Sequence, residues 1–374
     1  MQIIQSLLKR TPRLRIFTKF EHILFLLIFL SSIFFGFYKL GSTLFNVDAQ
    51  HWTLRSQNFI SAVKHANWKK TYQDPKPGVT LMWISGTSLD IAQTLYQKLH
   101  GFRPEIYTYD TFSNLNFAAK APMVLLNLIF LLFFYITLCK LLDPTKAVVA
   151  TLFLAFQPYY IGIIQFIHVD GLLTIFMTVS ALLLILFLRH FNKKSLLIFS
   201  AFFAGLALLT KNQAIFLTLF TGFAFLIDLL FNKRPLKKYL LFFVIWLLTI
   251  CLTYFAFFPA MWVTPGKVLS SIVSESFHVA QTGNTSIRPF WFYPTLMPQL
   301  FTTFVLIMFV IGFAKSVFSK NKELILYSSF VFFYILQMSI VAQKIDRYLL
   351  PIFPFTAIIA SVGFMFLVKG SWLN

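Results

Sequence analysis

The sequence predicts an all-α polytopic membrane protein with about ten transmembrane helices and two extracytoplasmic loops that carry amphipathic interfacial helices. Three observations predict this class. Only 12% of the 374 residues are charged and 58% are hydrophobic, whereas roughly a quarter of a soluble domain is charged. The apolar residues form blocks of about 20, which as helices cross a ~30 Å hydrocarbon core. Lys and Arg cluster between the blocks, as the positive-inside rule predicts.

The apolar blocks define the predicted spans. The first block follows five basic residues but is too long for a signal-peptide core and has no cleavage site after it, which favours a retained anchor. The predicted spans are 22–40, 121–141, 147–165, 169–188, 195–210, 213–231, 239–258, 298–316, 324–342 and 350–368. A re-entrant pair is an alternative for 195–231, where only Lys211 and Asn212 separate two blocks.

The basic clusters predict the orientation of the chain in the membrane. The N-terminal cluster Lys9–Lys19 and the clusters at 189–194, 233–238 and 315–322 are expected in the cytoplasm. An even number of spans returns the C-terminus, with Lys369, to the same side. A net charge of +20 in a soluble protein would suggest a nucleic-acid partner. Here the positive-inside rule explains the charge, so we expect membrane lipids and no nucleic acid as partners.

Two long connections, 41–120 and 259–297, are placed outside by this topology, and we expect one integral membrane domain over 1–374 without a separate soluble domain. In the first loop, 52–67 and 89–99 have apolar side chains at helical spacing. The apolar face of 52–67 consists of Trp52, Ser56, Phe59, Ile60 and Val63, and that of 89–99 of Leu89, Ala92, Leu95, Tyr96 and Leu99. These helices are expected either in the membrane interface or packed on each other.

Ionisable residues at the outer ends of spans are the candidate functional residues, because such groups are costly beside a membrane. Asp48 follows the first span, and a carboxylate there is either a helix cap or a general base. His168 and Asp170 form a polar cluster ahead of the fourth span, where Asp170 is again either a cap or functional. The sequence contains no cluster of Cys and His at metal-ligand spacing, so no metal is expected.

Lys211 and Arg347 carry positive charge on the side where the topology predicts little of it. A lipid phosphate in the outer leaflet would explain both residues, since Arg binds phosphate through two parallel hydrogen bonds. For Arg347 the alternative is an ion pair with Asp48 or Asp170, and the two arrangements can alternate.

Together these residues resemble the protein O-mannosyltransferase and aminoarabinose-transferase-like superfamily of C-type (GT-C) glycosyltransferases. The resemblance covers nearly the whole chain and rests on six short strings in order. They are Asp48 with Trp52 and Arg55; Pro75-Lys76-Pro77-Gly78; His168-Val169-Asp170-Gly171; Gly205–Lys211; Phe258-Pro259-Ala260-Met261-Trp262; and Asp346-Arg347-Tyr348-Leu349-Leu350-Pro351.

The resemblance implies an inverting enzyme at the outer membrane face that moves a sugar from a polyprenyl-phosphate carrier to a hydroxyl acceptor on a protein, lipid or glycan. Asp48 would be the catalytic base, and Arg347 and Lys211 would bind the donor phosphate. Six further residues would either contact the acceptor or surround these three groups: Asp170, His168, Asp346, Trp52, Arg55 and Lys76. Members generally use a lipid-linked sugar without a metal or soluble nucleotide sugar, and a bacterial plasma membrane is the expected location.

Two positions depart from the pattern of this superfamily. Ala49 follows Asp48 where many members have Glu, and Lys76 stands where His is frequent. Both changes affect the predicted acceptor more than the predicted reaction. A polytopic transporter or flippase for lipid-linked glycans is the alternative from another class. It would predict ionisable residues near the bilayer midplane and internal symmetry, which this sequence lacks.

Overall fold

The computed structural model describes residues 19–42, 47–281 and 288–369. These residues form sixteen α-helices and three short 3-10 helices, and no β-strand occurs among them, which confirms the predicted all-α class. Of the basic residues that predicted the orientation, Lys9–Arg15 and the side chains of Lys19 and Lys369 lie outside the described part.

The α-helices are numbered here in chain order. They are α1 Lys19–Phe37, α2 Val47–Lys64, α3 Val79–His100, α4 Phe112–Leu141, α5 Pro144–Ala155, α6 Pro158–Ile164, α7 Val169–Arg189, α8 Lys194–Thr210, α9 Phe216–Asn232, α10 Leu236–Phe257, α11 Ala260–Val263, α12 Pro265–Gln281, α13 Phe292–Leu300, α14 Thr303–Val317, α15 Lys322–Ile340 and α16 Phe353–Lys369. The 3-10 helices are Trp68–Thr71, Asn212–Ile215 and Asp346–Ile352.

Seven helical segments in the described part are long and apolar enough to cross a membrane, or eight if the bent pair α5–α6 forms one span. α8 and α14 are apolar but shorter, with 17 and 15 residues. Each predicted span therefore coincides with a helix or helix pair. The count of ten membrane-spanning helices stays a prediction.

The predicted span at 147–165 is not one straight helix, because α5 and α6 meet at an angle of 67°. The break falls at Phe156 and Gln157, directly before Pro158. Proline lacks the N–H that would continue the helix and disfavours helical backbone in the residue before it. α4 also begins nine residues before its predicted start at 121, so this helix projects from the apolar region into the predicted first loop.

α7 is the centre of the bundle. Every residue from Val169 to Leu188 is buried, as expected for a helix that is apolar on all sides. By contrast, large apolar side chains of α1 and α10 are exposed, including Leu30, Phe34, Leu248 and Leu252. A helix that exposes such side chains along its length is suited to contact with lipid tails.

Helix α2 packs on α3 rather than lying alone on the surface. At Gly86 of α3, an added Cβ would lie 2.6 Å from the backbone oxygen of Ser56 and 2.8 Å from Ile60, so the two helices cross at close range. The predicted face of α2 is correct, since Trp52, Ser56, Phe59 and Ile60 are buried. In the predicted face of α3, Leu89 is buried, whereas Leu95 and Leu99 are 55% and 80% exposed.

The segment before α3 is tied to the end of α8. The backbone N–H of Gly78 donates to the carbonyl of Thr210 (3.1 Å), and the hydroxyls of Thr80 and Thr210 lie 2.6 Å apart. Through these contacts, the first predicted loop is held beside the C-terminal end of α8.

Candidate active site

Five of the candidate residues meet at one end of the bundle. Asp48 comes from the first turn of α2, His168 and Asp170 from the start of α7, Lys211 from the end of α8, and Arg347 from the 3-10 helix ahead of α16. Each of them contacts at least one other member of the group within 4 Å. Charged side chains far apart in the sequence thus form one cluster.

Asp170 is the buried anchor of this cluster, with a side chain that is 0% exposed. Its Oδ1 accepts a hydrogen bond from Lys211 Nζ at 2.6 Å. Its Oδ2 lies 3.1 Å from His168 Nδ1 and 3.2 Å from Arg347 Nε. The carboxylate also lies in the first turn of α7, where the helix dipole favours negative charge. Three cationic or potentially cationic groups therefore offset the cost of burying this charge.

Asp48 is the accessible carboxylate, with 41% of its side chain exposed. Its Oδ2 accepts a hydrogen bond from an Arg347 terminal nitrogen at 2.6 Å and lies 3.6 Å from His168 Nε2. The contact with His168 and the charge of Arg347 lower the pKa of Asp48 to about 2, although partial burial opposes them. Asp48 is therefore ionised at neutral pH, with one face open to an incoming group. Its position inside α2 also makes the helix-cap alternative wrong.

His168 links the two carboxylates. It is 5% exposed and is the N-cap residue of α7, where Nδ1 of the neutral ring accepts a hydrogen bond from the Asp170 N–H at 3.2 Å. His168 is thus the N-cap residue of α7. The alternative that Asp170 caps this helix is wrong. Burial opposes protonation, but the charges of Asp170 and Asp48 outweigh it and raise the pKa of His168. In the protonated ring, Nδ1 instead donates toward Asp170 Oδ2.

Tyr348 is a site residue that the sequence analysis did not single out. Lys211 Nζ lies 3.8 Å from the centre of the Tyr348 ring, so this ammonium group is held between a carboxylate and an aromatic face. The signal for Tyr348 was its place beside Arg347 in the sequence. Spacing alone does not distinguish it from the apolar residues that follow.

The predicted loop residues lie around this cluster rather than inside it. Lys76 is half exposed and lies 3.6 Å from Glu275 of α12. Arg55 pairs with Asp74 at 2.5 Å and lies over the ring of Trp52, which is buried against Gly78. Gly78 has φ +57°, and a Cβ there would lie 2.0 Å from Trp52. Asp346 faces Tyr159. The roles predicted for these residues stay predictions.

The cluster has more cationic than anionic capacity. Arg347 and Lys211 balance Asp48 and Asp170 when His168 is neutral, and a protonated His168 adds one positive charge. An added phosphate would therefore find two cations that already lie within one site. No group of three or more His, Cys, Asp or Glu residues that could hold a metal occurs in 19–42, 47–281 or 288–369.

Comparisons with known proteins identify the architecture around this cluster. The family model described as dolichyl-phosphate-mannose-protein mannosyltransferase matches residues 108–262, which include His168, Asp170 and Lys211 but neither Asp48 nor Arg347. The crystal structure of ArnT from Cupriavidus metallidurans bound to undecaprenyl phosphate superposes with a TM-score of 0.70, at 15% identity, over 93% of this chain and 61% of that chain.

A second solved structure is the archaeal oligosaccharyltransferase AglB from Archaeoglobus fulgidus in complex with an inhibitory peptide and a dolichol-phosphate. It superposes with a TM-score of 0.65, at 11% identity, over 94% of this chain and 51% of that chain. This chain has the GT-C glycosyltransferase fold. The fold that the sequence resemblance implied is thereby confirmed, and the protein is an integral membrane protein.

The GT-C chain spans less than two thirds of the length of either solved relative, 61% of ArnT and 51% of AglB. No curated protein matches it by sequence. Two of the solved structures with this fold contain a lipid phosphate, undecaprenyl phosphate in ArnT and a dolichol-phosphate in AglB.

Proposed function

We propose that this protein is a glycosyltransferase that moves a sugar from a polyprenyl-phosphate carrier to a hydroxyl acceptor at the outer membrane face. One observation carries the proposal. A half-exposed carboxylate, Asp48, and two cationic groups, Arg347 and Lys211, converge from separate elements at one site. The GT-C fold supports the lipid-linked donor, because ArnT of this fold was solved bound to undecaprenyl phosphate.

In the proposed reaction, the acceptor oxygen attacks the anomeric carbon of the sugar from the face opposite the phosphate. The bond between the anomeric carbon and the phosphate oxygen breaks, so the configuration inverts. The hydroxyl proton passes to the Asp48 carboxylate, and the electron pair of the broken bond stays on the phosphate. Arg347 and Lys211 stabilise the charge that grows on this leaving group, an electrostatic contribution from groups already in place.

Because Arg347 also forms an ion pair with Asp48, donor binding would have a second effect, on the basicity of Asp48. While Arg347 holds Asp48 at 2.6 Å, the carboxylate is a weak base, with a pKa of about 2. A donor phosphate that draws the guanidinium toward itself removes one of the groups that lower this pKa. Donor binding would thus make Asp48 more basic when a sugar is present to receive the acceptor.

The proposal includes neither a metal nor a soluble nucleotide sugar, because Arg347 and Lys211 supply the positive charge that a metal ion would otherwise bring to the phosphate. The lipid tail of the donor would lie between apolar helices. The acceptor would approach past Lys76 and Glu275, which lie at the edge of the cluster.

The decisive experiment incubates purified protein with radiolabelled polyprenyl-phosphate sugars and membrane extract, and then identifies the labelled products. We expect transfer by the wild-type protein and transfer at least about 10²-fold slower by Asp48→Asn. Asp90→Asn is the matched control, since Asp90 also forms ion pairs in the first loop but lies outside the cluster. If the wild-type protein transfers no sugar from any donor yet moves lipid-linked sugars across vesicle membranes, the protein is a flippase and the proposal is wrong.

A further inference from the structure

A second charged site lies at the opposite end of the bundle. α7 runs from the candidate active site at Asp170 to Arg189, and at 1.5 Å per residue its 21 residues separate the two ends by about 30 Å. A cavity of about 570 Å³ opens beside Arg189, and the side chains of His190, Lys193, Arg234 and Lys238 line it. Because a bilayer core is about 30 Å thick, a membrane that α7 spans would place the cavity at its other surface.

Four lysine and arginine side chains line the cavity: Arg189, Lys193, Arg234 and Lys238. Acidic partners fix the two arginines. Arg189 makes two hydrogen bonds to Glu323, at 2.7 and 2.6 Å. Arg234 lies 3.0 Å from the buried carboxylate of Asp228 and stacks over Phe191. These pairs position both guanidinium groups at the wall of the cavity and neutralise the nearby acids.

The other two cations, Lys193 and Lys238, form no ion pair with any residue in the described ranges. They approach the cavity from two different connections, one between α7 and α8 and the other between α9 and α10. Partial burial and the charges of Lys193, Arg189 and Lys140 lower the pKa of His190. The histidine is therefore neutral at pH 7, and the positive charge of the cavity comes from Lys and Arg.

Two helix N-termini add to this positive potential. Lys193 is the N-cap residue of α8 and Pro235 that of α10; both line the cavity, and neither makes a side-chain capping hydrogen bond. Backbone N–H groups at uncapped helix starts, together with the helix dipole, favour a bound anion. Independent features of side chain and backbone thus select the same kind of ligand.

The surroundings of the cavity suit a lipid rather than a free ion. Leu230 at the end of α9 and Leu236 and Leu240 at the start of α10 are 63%, 57% and 57% exposed. These side chains flank the basic residues in sequence and offer an apolar surface for acyl chains. A basic cavity between helices at a membrane surface is the usual setting for an acidic headgroup.

We propose that this cavity binds the phosphate headgroup of an anionic phospholipid in the leaflet opposite the candidate active site. Lys193 and Lys238 contact the phosphate, Arg189 and Arg234 shape the wall, and the starts of α8 and α10 face the bound anion. The site is separate from the proposed donor site and does not depend on the reaction proposed above.

The test uses native mass spectrometry of the full-length protein with phosphatidylglycerol, with phosphatidylcholine and with inorganic phosphate. The double variant Lys193→Gln and Lys238→Gln removes the two unpaired cations and leaves both arginine pairs in place. Lys194→Gln with Lys237→Gln is the matched control, because these lysines are sequence neighbours that do not line the cavity. A lysine at an anionic lipid contributes about fivefold in affinity, so we expect roughly 25-fold weaker phosphatidylglycerol binding in the first variant.

The control variant should keep phosphatidylglycerol affinity within about twofold of wild type. Equal losses in the two lysine double variants would show a diffuse effect of surface charge and overturn the site. If the wild-type protein bound phosphatidylcholine as tightly as phosphatidylglycerol, the proposed site would also be overturned. Binding of inorganic phosphate with the same affinity as the lipid would show that the ligand is a free ion and overturn the lipid assignment.

Discussion

Asp48 and Asp170 belong to one cluster but differ in exposure, and this difference predicts different consequences of losing each charge. Asp48 is 41% exposed and faces the space that an acceptor would enter, whereas Asp170 is 0% exposed and holds cations in place. Substitution of Asp48 should therefore affect the reaction, and substitution of Asp170 should affect the folded structure as well.

For Asp48→Asn we expect a fall in kcat of about 10²- to 10⁴-fold, the usual contribution of a positioned general base. The amide keeps the size of the side chain but does not accept the acceptor proton. The measurement is initial rate at saturating donor, together with the unfolding temperature in detergent. A variant with normal rate would remove Asp48 from the mechanism, and a large fall in unfolding temperature would show that its role is structural.

For Asp170→Asn we expect a loss of about 3–5 kcal/mol in unfolding free energy, the cost of leaving a buried charge without its partner. Lys211 Nζ, 2.6 Å from Asp170, would lose its carboxylate. Arg347 would keep its ion pair with Asp48. Thermal unfolding of the two Asn variants side by side measures the difference. Equal unfolding temperatures would mean that Asp170 contributes no more to stability than the exposed Asp48.

The raised pKa of His168 predicts a pH-dependent stability. A raised folded-state pKa means that the stabilisation is complete below the unfolded value of about 6.5 and is lost as pH rises through the folded value. Asp48, Asp170 and Arg347 are the charged groups that face His168. Asp48 does not titrate in this range, because its pKa is about 2.

We therefore expect His168→Gln to destabilise the protein more at pH 6 than at pH 9. Unfolding temperatures of wild type and variant across this range give the result. Asp90→Asn, which leaves His168 in place, is the reference variant. A difference that stays constant from pH 6 to pH 9 would show that folding does not raise the pKa of His168.

At the scale of helices, the sequence predicts where apolar segments lie but not how each one ends. The break at Pro158 has a local cause that was readable, since proline disfavours helix in the residue before it. The early start of α4 was not readable, because its first turns are polar enough to resemble a loop. Periodicity grouped Leu95 and Leu99 with Leu89 on one apolar face of α3 and left open whether this face lies in the membrane interface or packs on α2. The contact with α2 instead uses Val79 and Met82, which share a core cluster with Phe59 and Ile60, and Gly86, which lies against Ser56.

The crossing of α2 and α3 at Gly86 yields a prediction about helix packing. Gly86→Ala places a Cβ 2.6 Å from the Ser56 backbone oxygen, so α2 must move away. Overpacking of this kind costs about 1–3 kcal/mol, and the shift would displace Asp48 at the start of α2. We expect a lower unfolding temperature and a lower transfer rate.

Gly222→Ala is the control for this substitution, because no atom lies within 4 Å of a Cβ at that position of α9. It should leave both quantities unchanged or raise the unfolding temperature slightly, since alanine favours helix over glycine. If Gly86→Ala behaves like Gly222→Ala, the close crossing does not position Asp48.

For the whole molecule, the sequence identified the members of the cluster but not their contacts. Asp48, Asp170, Lys211 and Arg347 were recognisable because charges at the ends of apolar segments are costly. Their pairing depends on helix packing between segments up to 299 residues apart, as for Asp48 and Arg347. No local pattern encodes such a distance. The ion pair of Arg347 was therefore one of two open alternatives, and the cation–π contact of Tyr348 was missed.

A site assembled from distant segments couples ligand binding to the stability of the whole bundle, which gives the last prediction. A ligand that binds only the folded state at 100 times its Kd adds about 2.7 kcal/mol to the unfolding free energy. We therefore expect a polyprenyl phosphate to raise the unfolding temperature of the wild-type protein. Arg347→Ala should reduce this shift, because the variant loses a cation that reaches the phosphate. Arg103→Ala, which removes an ion-paired arginine outside the cluster, should keep it. The uncharged polyprenol separates lipid-tail binding from phosphate binding, and an equal shift with polyprenol would show that the cluster does not bind phosphate.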